Sequence, residues 1–205
     1  CGMIPLADGS DMGGSLRNPA SYNNVVGLRP SAGRVPQWPN NNLWATLSVN
    51  GPMARSVSDL ALALSVMAGP DPRVPISIDQ SGQQYQQPLD RDFRGVRIAW
   101  SPDFGGIQVD HRISTVIAQQ LPIFQQLGCE IEQADPGWHE ADTVFKTLRA
   151  WSFAYSHADL LATHRDQLKE TVVWNIEAGL QLSNHDLIEA TRQQNTLYQR
   201  VQAFL

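Results

Sequence analysis

Cysteine is scarce: the 205 residues hold two, Cys1 and Cys129. Two thiols do not make a disulfide framework, and reduced thiols in a cytoplasmic protein are the simple reading. Lysine is equally rare, with only Lys146 and Lys169. The 15 Lys and Arg against 20 Asp and Glu leave a net charge of -5. That balance gives no support for binding nucleic acid, which wants a basic face. No apolar run approaches the ~18 residues of a membrane span, and no signal peptide is visible. Five histidines, at 111, 139, 157, 164 and 185, lie far apart. With no His-Glu-x-x-His and no paired Cys/His spacing, no metal site is expected. Gly-x-Gly-x-x-Gly and Gly-x-x-x-x-Gly-Lys-Ser/Thr are missing, so a nucleotide site is not expected and no cofactor is called for. Gly-x-Ser-x-Gly is missing too, and a Ser-His pairing for acyl transfer has no support. What is present is an ordinary globular composition, 42% hydrophobic and 17% charged. It suffices for one large domain or part of a bigger one.

Along the chain, residues 1–7 suit a strand end and 8–15 a glycine-rich loop. Pro19 suits the start of a short helix, with Asn18 as its cap. "VVGLRP" (25–30) reads as a short buried strand stopped by proline, and 36–50 as an irregular loop. "RSVSDLALALSVMAG" (55–69) is the clearest helix, with a Ser56–Asp59 capping box and Gly69 at its end. It is apolar almost all round, which predicts burial. Residues 70–92 read as a surface connection. Strand 95–100, an amphipathic helix over 110–128 kinked at Pro122, and strand 129–134 predict a right-handed βαβ crossover. The helix carries its apolar face at Ile113, Val116, Ile117, Leu121, Phe124 and Leu127. The remainder, 137–205, reads as mainly helical with breaks near Arg165 and at 183–184.

Chemistry concentrates in "DGSDMGGSLRNPAS" (8–21). Amides around Gly13 and Gly14, with no Cβ to block them, can converge on one point beside a helix start. Those are the parts of an oxyanion hole. Ser15 stands where it can attack a carbonyl whose oxygen sits in that hole, flanked by Asp11 and Arg17 as an ion pair that holds the loop. The alternative is a capped strand-to-helix turn with no chemistry. A second nucleophile stays open: Cys1, followed by Gly, matches the start of N-terminal-nucleophile glutamine amidotransferases, or it is only a boundary.

"GSDMGGSLRNPASYNNVVGLRPSAGRVP" (9–36) resembles the amidase signature family. That family carries Gly-Ser/Thr-Asp-x-Gly-Gly-Ser-Ile/Leu-Arg-x-Pro-Ala, then Val-Gly-Leu-Lys/Arg-Pro and Gly-Arg-Val. "GPMARSVSDLALALSVMAG" (51–69), the strand at 95–100 and the helix with "LGCEIEQ" beyond it are similar as well. The resemblance implies an α/β/α fold with a central mixed sheet flanked by helices. It implies hydrolysis of carboxylic amides through a Ser-cis-Ser-Lys triad without histidine. Ser15 would be the acylated nucleophile, and the backbone amides of Met12, Gly13, Gly14 and Ser15 the oxyanion hole. Ser10 falls at the family's Ser/Thr position near the bridging serine, and Asp11 and Arg17 are taken as architectural.

The family places its lysine and bridging serine upstream of this motif, and neither lysine here matches them. The expectation is therefore one partial amidase domain over 1–205, with 1–69 carrying the nucleophile loop and the buried helix. The βαβ unit would occupy 93–135 and the helices 137–205. The expected partner is a small amide, with no nucleic acid or membrane, and an uncovered sheet edge favours a homodimer. A non-catalytic component of an amidotransferase complex is a further alternative. Trp38 and Trp44 would line an acyl pocket or pack their loop onto the core, and Trp151, Phe153 and Tyr155 carry the same choice.

Overall fold

A computed structural model describes residues 2–205; the readings placed on Cys1 lie outside them. The chain divides into two compact units, residues 1–89 and 90–205. The stretch 1–69 belongs to the first, and 93–135 and 137–205 to the second.

In the first unit, β1 (Leu6–Asp11) leads through a turn to α1 (Arg17–Tyr22). Then follow β2 (Val26–Gly27), β3 (Val49–Ala54) and α2 (Val57–Met67). The three strands form one antiparallel sheet with β3 in the middle. β1 pairs with β3 over its whole length, from Leu6 opposite Ala54 to Asp11 opposite Val49. β2 adds only Val26 opposite Ala54 and Gly27 opposite Met53. Two expectations change here. The strand runs four residues into the glycine-rich stretch, and a full strand stands where the sequence suggested loop followed by helix entry. Both follow from a pairing of Gly9 with Gly51. A Cβ on Gly51 would sit 2.3 Å from the Leu28 carbonyl oxygen and 2.9 Å from Leu16 Cδ1; one on Gly9 would be 3.3 Å from Leu16 Cδ2. The glycines make a flat seat, and Leu16 fills it completely buried.

α1 starts at Arg17, two residues before the expected Pro19, and Asn18 does not cap it. Leu16 occupies the cap position and offers no side-chain acceptor. α2 is capped by Ser56, whose hydroxyl accepts the Asp59 N–H at 3.1 Å and donates to the Asp59 carboxylate at 2.7 Å. That is half of the expected capping box. α2 is not buried all round: Leu60 and Leu64 face the core, while Leu62 and Val66 are 53% and 79% exposed. Leu64 clusters with Val35 and Ala68, and Leu28, Met67 and Tyr85 pack against them. The connection after α2 is more ordered than a surface link. Val74 is buried, and a 3₁₀ turn over Gly82–Gln86 lies so close that a Cβ on Gly82 would meet the Ser65 carbonyl oxygen at 2.3 Å.

The second unit opens with β4 (Arg97–Trp100), α3 (His111–Ala118), α4 (Leu121–Gln126) and β5 (Glu130–Gln133). β4 and β5 pair in parallel, as a βαβ crossover requires. The connecting helix is two helices, not one kinked helix. The chain breaks at Gln119–Gln120, and Pro122 enters the first turn of α4, where its missing N–H leaves no bond unmade. Then follow α5 (Ala141–His164), a 3₁₀ turn at Arg165–Gln167, α6 (Glu170–Leu180) and α7 (Asn184–Phe204). The expected breaks near Arg165 and at 183–184 are both present. α6 lies against α5 at its small residues: a Cβ on Gly179 would fall 2.0 Å from the Ala150 carbonyl oxygen and 2.8 Å from Ala154 Cβ. Ser183 and Asp186 close a complete capping box at the start of α7.

Two substitutions calibrate these contacts. Gly51→Ala is expected to cost about 2 kcal/mol or more, since backbone rather than a flexible side-chain end occupies the new methyl's space. Ser183→Ala is expected to cost about 1 kcal/mol through the lost cap. Urea unfolding of each variant, followed by circular dichroism, checks both values and their order.

Candidate active site

The site is built around Asp11, the last residue of β1, whose side chain is wholly buried. Its carboxylate accepts the Gly14 N–H at 2.7 Å and the Leu16 N–H at 3.2 Å. Arg17 adds Nε to Oδ2 at 3.0 Å and Nη2 to Oδ1 at 3.1 Å. The expected Asp11–Arg17 ion pair therefore stands. Burial alone would raise the Asp11 pKa. The hydrogen bonds from Arg17, Gly14 and Leu16 outweigh it and hold the carboxyl well below the usual carboxylate range.

Sequence reasoning missed Arg29, which follows β2. Its Nη1 donates to the Asp11 backbone oxygen and lies 3.3 Å from Oδ1, and its Nη2 donates to the Leu47 carbonyl at 2.8 Å. It ties the end of β1 to the segment leading into β3. The signal was present as the arginine of "VVGLRP", to which the motif alone attached no role.

The capped turn carries Met12, Gly13, Gly14 and Ser15. Gly14 has φ +118°, a conformation that suits glycine, and a Cβ there would meet the Asn18 amide at 2.8 Å. Its N–H, one of the expected oxyanion donors, donates to Asp11 Oδ1 at 2.7 Å. Among the described residues, the N–H groups of Met12, Gly13 and Ser15 donate to no acceptor. Ser15 itself is exposed, and its hydroxyl has no hydrogen-bond partner among the described residues. The turn thus presents a free hydroxyl with free amides beside it. Both lysines belong to the second unit: Lys146 pairs with Asp142 at 2.7 Å on α5, and Lys169 occupies the position before α6.

Ser10 points outward from β1 and makes no hydrogen bond to Ser15. Trp38 is 49% exposed beneath the Arg73 guanidinium, 5.4 Å from its ring centre, and Trp44 is 73% exposed. Neither tryptophan packs its loop onto the core. Trp151 and Tyr155 are partly exposed and stack on each other at 5.6 Å on α5.

Comparison with known proteins places these features in a context. A family model described as Amidase matches residues 1–205. The chain is 38% identical over 161 residues to an acylamidase of Rhodococcus erythropolis, covering 78% of this chain and 34% of the relative. It is 37% identical over 131 residues to a glutamyl-tRNA(Gln) amidotransferase component of Azotobacter vinelandii, covering 64% of this chain and 27% of the relative. Among solved structures, a bacterial aryl acylamidase of the amidase signature family superposes with TM-score 0.85 at 26% identity, over 98% of this chain and 44% of that one. A 6-aminohexanoate cyclic dimer hydrolase shares the fold at TM-score 0.85 and 21% identity, with the same shares covered. The chain thus spans about a third of the curated acylamidase and less than half of these solved chains. No helix among the described residues is long and apolar enough to cross a membrane. With the buried aspartate, the glycine turn and the serine in one motif and the family matched from end to end, this chain belongs to the amidase family.

Proposed function

We propose that this chain carries the nucleophile half of an amide hydrolase, which cleaves a carboxylic amide C–N bond to acid and amine through an acyl-serine on Ser15. The observation that carries the reading is the exposed Ser15 hydroxyl beside the unengaged N–H groups of Met12, Gly13 and Ser15. Ser15 Oγ attacks the amide carbon and gives up its proton. The carbonyl oxygen gathers negative charge and is met by the free amides, which cost no reorganisation because the turn is already built. Collapse breaks the C–N bond, the protonated amine leaves, and water releases the acid from Ser15. The proton acceptor and donor are assigned, on the family resemblance, to a serine and a lysine upstream of the motif. An alcohol without such a partner is a poor nucleophile.

In this reading Asp11 is a positioning residue. By holding Gly14 and Leu16, it fixes the turn on both sides of Ser15 without touching a substrate. Relatives named as components of glutamyl-tRNA(Gln) amidotransferase support a second reading, in which the same serine works inside a complex.

In the full-length protein, Ser15→Ala is expected to lower anilide and alkyl-amide hydrolysis by roughly 10⁴-fold or more with the fold intact. Turnover near that of the unsubstituted protein would remove Ser15 as nucleophile. Cys1→Ala is expected to leave the rate unchanged, and inactivation by selective alkylation of Cys1 would favour the N-terminal-nucleophile reading instead. Residues 1–205 alone are expected to hydrolyse no anilide detectably. Activity from them that Ser15→Ala abolishes would mean that a base exists among them.

Acid stability tests Asp11. In the unfolded chain its carboxyl takes up a proton near pH ~4, whereas in the folded chain it stays ionised to lower pH. The unfolded state then binds more protons, so this contribution is complete above pH ~4 and is lost on acidification. Asp71, brought down to about 2 by Arg73, acts in the same direction. Asp11→Asn is therefore expected to cost about 3 kcal/mol at neutral pH and to flatten, not abolish, the loss of stability between pH 5 and 3. Urea midpoints measured across that range give the comparison.

A further inference from the structure

Arg149, in the middle of α5, differs from the ion-paired arginines of its unit and, unlike Arg91 over Phe93, is half-buried. Its Nε is fully buried with no hydrogen-bond partner. No carboxylate, carbonyl or hydroxyl among the described residues accepts from its guanidinium. The helix itself offers no counter-charge: the positions three and four residues away on either side are Phe145, Lys146, Ser152 and Phe153. Lys146 is engaged with Asp142 at 2.7 Å. By contrast, Arg97, Arg112, Arg165 and Arg200 each pair with a carboxylate. What holds Arg149 is aromatic. Its guanidinium carbon lies 5.8 Å from the Phe145 ring centre and 5.4 Å from that of Phe153.

This arrangement is pre-organised for an anion. The rings restrict the side chain, so little rotamer freedom remains to be lost on binding. They satisfy the cation only by its attraction to their faces and provide no acceptor for its N–H groups. A half-buried cation without a counter-charge gains more from an arriving anion than an exposed one, because less water competes. With Nε enclosed, contact falls to the two terminal nitrogens, whose parallel N–H bonds match the two oxygens of a carboxylate. A single guanidinium with its neighbouring lysine already paired suits a monoanion better than a phosphate dianion.

We propose that Arg149 is the anchor of a carboxylate-binding site on α5, taking a small organic acid with Phe145 and Phe153 as its rigid frame. The choice of an organic acid rests on the amide-hydrolase reading, in which such acids are products. The binding does not require catalysis and is tested without it.

The experiment uses the full-length protein carrying Ser15→Ala, so that nothing turns over. Sodium benzoate, uncharged benzamide and inorganic phosphate are titrated separately, read by the Arg149 Nε–Hε resonance and by calorimetry. Benzoate is expected to shift that resonance saturably, benzamide to leave it in place, and phosphate to bind more weakly. Arg149→Gln is expected to weaken benzoate binding by about tenfold or more, and Arg149→Lys to retain an intermediate affinity. Arg149→Lys also serves if the glutamine variant does not fold. An unmoved resonance, benzoate affinity unchanged by either substitution, equal response to benzamide, or tighter binding of phosphate would each overturn the proposal. Failure of amide hydrolysis by the protein with Ser15 intact would refute the functional reading and leave this titration to be judged separately.

Discussion

A carboxylate removed from water must have its charge and its lone pairs met by the protein, and the fold of the first unit is arranged around meeting that requirement at Asp11. Two backbone amides and two arginines reach it, from the turn, from α1 and from the end of β2. Removing any one of these donors leaves part of a buried charge unmatched, which is costly in a low-dielectric interior. The five residues between Asp11 and α1 therefore have little freedom. Their conformation is what leaves Ser15 outward and the amides of Met12, Gly13 and Ser15 without internal partners.

The second constraint is steric. Leu16 follows Ser15 and must be buried, and it is buried on a surface from which side chains have been removed. Gly9 and Gly51 face each other across the β1–β3 pair, and a Cβ on Gly27 would come 2.6 Å from the Leu16 carbonyl oxygen and 2.7 Å from Ala20 Cβ. The same logic recurs in the second unit, where Gly179 allows α6 to meet the α5 backbone. Electrostatics at Asp11 and close packing at Leu16 grip the turn from either side of the serine. The presentation of the hydroxyl is thus a property of the sheet as much as of the motif.

Much of this was legible from the sequence wherever local signals are strong. The Ser56 cap, the parallel pair around residues 95–134, and the breaks near Arg165 and at 183–184 all follow from capping chemistry, periodicity and chain punctuation. The motif around Ser15 was visible because glycine, hydroxyl and charge rarely crowd so closely. β3 was not legible. Its sequence, Val-Asn-Gly-Pro-Met-Ala, carries the residues that ordinarily end strands. It forms a central strand because Pro52 and Gly51 lie where β1 and Leu16 need close approach, a demand that arises only once the sheet exists. The burial of α2 was overestimated for a related reason: an apolar helix exposes any face for which no neighbour is supplied.

Residue type and spacing by themselves determined the pairing of Asp11 with Arg17 and the mixed α/β character of the chain, and singled out Ser15 as the serine of the proposed site, because each depends on groups within a few positions of one another. Tertiary structure alone decided which amides beside Ser15 stay free, that Gly14 serves Asp11, and that Arg29 completes the cluster from 18 residues away. Those outcomes hinge on which donors reach a buried carboxylate first, and that competition is settled by distance in space, not by order along the chain.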